Sequence, residues 1–295
     1  MIWLILLVLV IVGFFVPGFV SSRNITNVLW AAAPLGGMVL GMFFVMLVGG
    51  LDLSLESTFA VAPTIAIMFM LNWLPNIVTP PVAILITLLI GMGIGLFNGL
   101  MSVKIRVNPF LVTLATLLIL RGVVIYLIPE GVYYLPEGYT FLGALRVFGD
   151  IPLAIFVLLG LYAFGHVLIN NDAFGKNVYA IGNNEEAAYV AGINVSRVKI
   201  MTFVFAGLFA AIGGMLEVGR LRSVVADLGN GDIMMVFAAT ILGGRCTPRA
   251  TSTSSSRWSS PHPRPSRPRV ARSTSTAAPP TARSSTPPAA PATRA

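Results

Sequence analysis

The chain has 295 residues, of which 56% are hydrophobic and 10% are charged. Soluble domains carry about 25% charged residues, so this composition excludes an ordinary water-soluble enzyme. The formal net charge is +8, but residues 245–295 carry nine Arg and no Lys, Asp or Glu, whereas residues 1–244 carry ten basic and eleven acidic side chains. The basic excess belongs to the C-terminal segment alone and does not predict a nucleic-acid partner.

Apolar intervals without charge predict that residues 1–244 form an all-α, polytopic membrane bundle. A span needs about 20 apolar residues, and Pro and Asn residues divide the long uncharged interval between Glu56 and Lys104. The predicted spans cover residues 2–20, 28–48, 57–71, 81–101, 109–128, 151–169 and 200–217. An eighth begins near Ile233 and stops at Gly244, which is too short to cross the bilayer alone.

Basic residues in the short loops set the orientation only weakly. With the N-terminus in the cytoplasm, five basic residues are cytoplasmic and four are outside. The cytoplasmic set is Lys104, Arg106, Lys176, Arg197 and Lys199, and the outer set is Arg23, Arg146, Arg220 and Arg222.

Small residues recur at four-residue spacing in two of the predicted spans. Gly37 and Gly41 form one stripe, and Gly91, Gly95 and Gly99 form another. Such stripes allow helix backbones to approach closely in lipid. We interpret them as packing sites inside one subunit, with a dimer face as the alternative.

The first unusual segment, residues 49–54, separates the second and third predicted spans. Gly49 and Gly50 interrupt a helix, while Asp52 and Ser54 offer polar atoms to freed backbone N–H groups or to the start of the next helix. One interpretation is a turn with a helix cap. The other is a broken helix that lines a translocation pathway, as in transporters.

The second unusual segment begins at Asn108 and Pro109, where Pro suits the first turn of a helix. Phe110 and Thr113 follow on the same span. Arg121 lies inside it and is costly in lipid, so we expect the side chain to face the bundle, a carbonyl cluster or a carboxylate. A structural role and contact with a solute both stay open.

The third unusual segment is a cytoplasmic loop with the pattern of a short amphipathic helix. Asn184 is a good N-cap, Glu185 and Glu186 suit a helix N-terminus, and Gly192 lies where such a helix would end. The helix either lies on the bilayer surface or docks in the groove of a partner. Composition alone does not separate these two interpretations.

Residues 245–295 take 47 of their 51 positions from Ala, Pro, Arg, Ser and Thr, and they contain no Leu, Ile, Phe or Met. Such a segment cannot bury enough apolar surface to fold, so we expect a disordered tail. Its abrupt start after Gly244 is typical of a shifted reading frame, and the alternative is a genuine basic arm that contacts lipid or RNA. Two domains follow: a transmembrane domain over 1–244 and the tail over 245–295.

No motif in the chain supplies catalysis. The glycine-rich phosphate loop G-x-x-x-x-G-K-[ST] is absent, and no carboxylate pair or Ser/His/Asp set converges. Cys246 is the only cysteine, and His166 and His262 are far apart, so no metal site is expected. We expect a non-enzymatic protein without a bound cofactor. If it moves a solute against a gradient, the energy enters elsewhere.

Four stretches in chain order resemble the permease subunit of bacterial monosaccharide importers of the ATP-binding-cassette (ABC) class, the ribose, xylose and arabinose type. Residues 49–54 resemble the family pattern G-G-I-D-L-S. Residues 108–114, followed by Arg121, resemble P-F-I-x-T-L. Residues 179–193 resemble Y-A-I-G-x-N-x-x-A-A-x-x-x-G-I, and residues 236–244, which end in Gly243 and Gly244, resemble A-A-x-x-L-G-G.

This resemblance implies a multi-pass protein of the bacterial inner membrane with several partners. They are an ATPase subunit that uses ATP and Mg, a periplasmic sugar-binding protein, a second permease subunit and membrane lipid. The segment with Glu186, Ala187, Ala188 and Gly192 would be the coupling helix that docks on the ATPase, because it matches the importer pattern E-A-A-x-x-x-G. Family members have about ten spans, and about eight are predicted here, which indicates C-terminal truncation after Gly244.

Other functions stay open at this point. The solute could be a branched-chain amino acid or a nucleoside carried by the same superfamily. A different class would be an ATP-independent membrane transporter or a membrane scaffold, although few ionisable groups lie inside the predicted spans. The particular sugar, and the choice between a homodimer and a heterodimer, are not predicted.

Overall fold

The computed structural model describes residues 11, 13–147 and 150–244, all of which belong to one compact unit. Among these described residues, six helices are long and apolar enough to cross a membrane. They are α1 (Ser22–Leu47), α2 (Leu55–Met68, extended to Trp73 by a π-helical turn), α3 (Pro80–Val103), α4 (Pro109–Leu127), α6 (Leu153–Asn170) and α9 (Val195–Leu221). The prediction of an all-α, multi-pass membrane bundle is therefore confirmed.

Shorter elements connect these spans. The helices are α5 (Glu137–Ala144), α7 (Ala173–Asn183), α8 (Glu185–Val190) and α10 (Asp232–Gly244). The strands are β1 (Val132–Tyr133), β2 (Arg146–Val147), β3 (Ile151–Pro152) and β4 (Ser223–Val224), and they pair antiparallel as β1 with β4 and β2 with β3. The β1–β4 pair joins the segment after α4 to the segment after α9.

Helix α9 lies at the centre of the bundle, and both glycine stripes face it. A Cβ atom at Gly95 would collide with the carbonyl oxygen of Phe203, and one at Gly91 would collide with that of Gly207. A Cβ atom at Gly37 or Gly41 of α1 would lie 2.8 Å from a carbonyl oxygen of α9, which is also closer than Cβ contacts allow. The interpretation that the stripes are packing sites inside one subunit is confirmed.

The spans begin and end close to the predicted positions, except at the start of two helices. Helix α1 begins at Ser22, six residues before the predicted start, because Ser21 caps it and accepts a hydrogen bond from the Asn24 N–H at 3.3 Å. Helix α9 begins at Val195, five residues before the predicted start, because Asn194 caps it and accepts a hydrogen bond from the Arg197 N–H at 3.0 Å. The first two turns of α9 carry Arg197 and Lys199, and these charges obscured the start of the helix in the sequence. The predicted tail lies outside the described residues, and so does most of the predicted span over 2–20.

Candidate functional site

The turn between α1 and α2 contains a buried carboxylate. Gly49 has φ +76°, which reverses the chain directly after α1. Asp52 is 1% exposed, and its Oδ1 accepts hydrogen bonds from the Ser54 N–H at 2.9 Å and the Ser54 hydroxyl at 2.6 Å. Burial raises the pKa of Asp52 to about 6, although the hydrogen bonds from Ser54 act in the opposite direction. Its second oxygen, Oδ2, is buried without a hydrogen-bond partner among the described residues.

Ser54 continues this network into two neighbouring helices. Its hydroxyl accepts a hydrogen bond from Asn98 Nδ2 at 2.7 Å, and Asn98 Oδ1 accepts one from the Thr116 hydroxyl at 2.8 Å. Asn98 lies inside α3 and Thr116 lies inside α4, so the turn reaches into the bundle rather than staying at the ends of the helices. This placement favours a broken-helix segment over a simple surface turn.

Arg121 of α4 pairs with Glu56 in the first turn of α2. Arg121 Nη2 lies 3.0 Å from Glu56 Oε1. The Arg121 side chain is 14% exposed and the Glu56 side chain 6%, so the ion pair is largely buried. Arg121 also donates hydrogen bonds to the carbonyl oxygens of Ala226 at 3.2 Å and Leu228 at 2.9 Å. Arg121 therefore contacts both partners that the sequence suggested, a carboxylate and a carbonyl cluster.

Glu56 also contacts the start of α10. Its Oε2 accepts a hydrogen bond from the Ile233 N–H at 3.3 Å, where the partial positive charge of the helix N-terminus favours a carboxylate. The ion pair thus holds α2, α4, residues 226–228 and the start of α10 together. We name Glu56, Arg121 and the Ile233 N–H the clasp.

Helix α8 has a defined beginning and end. The Asn184 side chain accepts a hydrogen bond from the Ala187 N–H at 2.9 Å. At the other end Gly192 has φ +84°, its N–H donates to the Tyr189 carbonyl, and the Ile193 N–H donates to the Ala188 carbonyl. This pair of hydrogen bonds is the Schellman motif, in which Gly supplies the left-handed residue.

The faces of α8 differ in burial. Ala188 is 4% exposed and packs with apolar residues of α7, the start of α9 and the end of α1, namely Val178, Ile181, Val195, Val198 and Val48. Tyr189 and Val190 are 73% and 85% exposed, and Glu186 is exposed beside them. Lys199 of α9 donates a 2.6 Å hydrogen bond to Glu185, which ties the first turn of α8 to α9.

A cavity of about 1050 Å³ brings the three unusual segments together. Gly49 and Gly50 line it from the α1–α2 turn, Asn108 and Pro109 from the start of α4, and Glu185 and Glu186 from α8. Arg106, Lys199 and Tyr189 complete much of its polar rim. We name this end of the bundle the coupling side, and it is the end that the basic loop residues place in the cytoplasm.

Other predicted site residues lie away from the cavity lining. Asp52 and Ser54 lie in the network beneath it. Thr113 is fully buried in α4, Phe110 is 44% exposed, and Gly243 and Gly244 lie at the end of α10.

Sequence reasoning missed Asn98, Thr116 and Lys199 as site residues and noted Glu56 only as flanking a span. A lone Asn inside an apolar span, such as Asn98, was the signal that could have identified the network.

Comparison with known proteins identifies relatives of this chain among membrane permeases. A family described as the permease component of a branched-chain amino acid transport system matches residues 24–256. The ribose import permease of Bacillus subtilis is 33% identical over 244 residues, which cover 81% of this chain and 73% of that protein.

Two further relatives come from Escherichia coli. The galactose/methyl galactoside import permease is 34% identical and covers 82% of this chain and 77% of that protein. The L-arabinose transport system permease is also 34% identical, over 78% and 69%. No solved structure matches the chain. The chain therefore belongs to the family of bacterial import permeases that includes the sugar ABC permeases, as a multi-pass protein of the inner membrane.

Proposed function

We propose that this chain is the membrane-spanning subunit of an ABC importer for a monosaccharide. In this function the permease forms the pathway and performs no chemistry. A separate ATPase subunit binds ATP and Mg, a periplasmic binding protein delivers the sugar, and a second permease subunit completes the pathway.

The observation that carries the proposal is the construction of α8. Both ends of the helix are fixed by caps, and Ala188 anchors it against α7 and α9. Glu186, Tyr189 and Val190 are nevertheless exposed on the coupling side. Exposed apolar side chains on a rigid helix, with a carboxylate beside them, suit a partner groove that has apolar walls and a basic side chain.

The names of the relatives support a monosaccharide as the transported solute. They are import permeases for ribose and galactose and a transport permease for arabinose. The buried hydroxyl and carboxamide groups of Ser54, Asn98 and Thr116 suit a solute rich in hydroxyl groups, because each of them can both donate and accept a hydrogen bond. Ser54 belongs to the segment between α1 and α2, whereas Asn98 and Thr116 lie in α3 and α4, and the three form a buried network beneath the cavity of the coupling side.

Co-purification with the cognate ATPase tests the docking of α8. We expect Glu186→Lys to reduce recovery of the ATPase, because it reverses the charge on the exposed face. The matched control is Glu137→Lys, since Glu137 is also an exposed acid in the first turn of a helix but lies at the opposite end of the bundle. Equal recovery from the two variants would contradict docking through α8.

A branched-chain amino acid is the second candidate solute, because the description of the matching family names it. A ligand screen of the periplasmic binding protein that works with this permease separates the two candidates. The proposal expects ribose, galactose or arabinose to raise the melting temperature of that binding protein, while leucine leaves it unchanged. The opposite result would assign the amino acid.

A further inference from the structure

A second cavity, distinct from the one on the coupling side, lies between α1, α6 and α10. It has a volume of about 720 Å³ and an almost entirely apolar lining. Tyr162 of α6 and Met235 of α10 are 41% and 61% exposed, so molecules in the surrounding bilayer can reach this groove. We name it the α1–α6–α10 groove.

The groove follows the inner half of α1. Its α1 residues extend from Ala32 to Phe43, eleven steps of 1.5 Å, or about 16 Å along the helix. This is close to half of the roughly 30 Å hydrocarbon thickness of a bilayer. A groove of this length matches the acyl region of one leaflet.

The polarity of the groove changes along its length. The end near Ala32 and Leu158 is aliphatic, whereas His166, Asn170 and Tyr179 lie toward the coupling side. His166 and Asn170 are both exposed, and Asn170 Nδ2 lies 2.9 Å from His166 Nδ1. A chain of methylene groups fits the aliphatic part. The polar part lies at the end of α6, where the second N–H of the Asn170 carboxamide can donate to a phosphate ester.

We propose that the α1–α6–α10 groove binds one phospholipid of the cytoplasmic leaflet. One acyl chain lies against Leu35, Val39 and Ala239, and the headgroup phosphate accepts hydrogen bonds near His166 and Asn170. The lipid would cover apolar surface of α10, a helix of 13 residues that is too short to cross the bilayer alone. This lipid site depends on membrane insertion but not on the transported solute or the ATPase.

Two adjacent alanines of α10 supply the test. Ala239 lines the groove and Ala238 does not, although both are exposed. Ala239→Trp places an indole ring in the groove, whereas Ala238→Trp adds the same bulk to the same helix on another face. Each protein is purified, incubated with palmitoyl-oleoyl phosphatidylglycerol and examined for retained lipid by native mass spectrometry.

We expect the wild type and Ala238→Trp to retain one lipid. Ala239→Trp should retain it with about tenfold lower occupancy, the change expected when about two methylene groups lose their burial. The double variant His166→Ala/Asn170→Ala should also retain less lipid, while its elution volume stays that of the wild type. Equal retention by the two Trp variants would overturn the proposal. So would loss of the retained lipid when a second permease copy binds, because a protein helix would then occupy the groove.

Discussion

Lys199 and Glu185 join the first turn of α8 to the second turn of α9 through a 2.6 Å ion pair. Helix α9 in turn packs against α1, α2, α3 and α5 at glycine contacts. A displacement of α8 by a partner would therefore reach the central helix of the bundle directly. The docking proposed for α8 would act on the bundle through this contact with α9.

Reversing the charge at this contact should loosen α8. Exposed ion pairs stabilise a protein by about 0.2–1 kcal/mol. Because Glu185 is 55% exposed, we expect Lys199→Glu to destabilise α8 by an amount near the lower limit of that range. Hydrogen exchange of the α8 amides should become less than about twofold faster. The double variant Lys199→Glu/Glu185→Lys should restore the slower exchange. Arg197→Glu is the control, because Arg197 is an exposed neighbour on the same helix, and an equal change in that variant would contradict the role of the pair.

Removing the charge of Arg121 should destabilise the bundle strongly. Arg121→Met leaves the carboxylate of Glu56 buried without its cation, and breaking a buried pair in this way costs about 3–5 kcal/mol. Thermal unfolding in detergent should show a marked fall in the melting temperature. The double variant Arg121→Met/Glu56→Gln should recover part of the loss.

Arg146→Met is the control for the clasp, because Arg146 pairs with Asp150 at 3.4 Å on the exposed surface. We expect little change in its melting temperature. If Arg121→Met and Arg146→Met shifted the melting temperature equally, the clasp would have no special role in holding α10.

Two glycines of α3 should respond differently to the same substitution. A Cβ at Gly95 would collide with the Phe203 backbone, whereas a Cβ at Gly93 has no atom within 4 Å among the described residues. Gly95→Ala should therefore lower stability by about 1–3 kcal/mol through overpacking, while Gly93→Ala should be neutral or slightly stabilising. The measurement is the fraction of folded protein after heating, and similar losses would contradict the packing of α3 against α9.

The left-handed backbone conformation of Gly192 at the end of α8 should restrict which residues this position accepts. Gly192 has φ +84° and open space around it, so Gly192→Val is strained by its backbone rather than by contacts. Gly192→Asn should be tolerated better, because Asn enters the left-handed region more readily. We expect ATPase recovery to fall in the order Gly, Asn, Val. Equal recovery from all three would show that the Schellman end of α8 is not needed for docking.

The sequence predicted most spans well because they are long apolar intervals with few charges, and it placed the ends of α8 correctly because Asn184 and Gly192 have strong local preferences. It did not predict that Glu56, Arg121 and Ile233 meet. That contact joins residues far apart in the chain and depends on how α2, α4 and α10 pack, which no local pattern encodes. The same holds for Asn98, whose partners Ser54 and Thr116 lie on other segments.

Site-directed cross-linking tests the central claim, that α8 is the surface on which the ATPase docks. In a Cys246→Ser background, a cysteine-directed photocross-linker is attached at Tyr189→Cys on α8 or at Tyr134→Cys. Tyr189 and Tyr134 are 73% and 98% exposed and lie at opposite ends of the bundle. We predict a covalent product with the ATPase from position 189 and none from position 134. Absence of the product at 189, or equal products from both positions, would contradict the account.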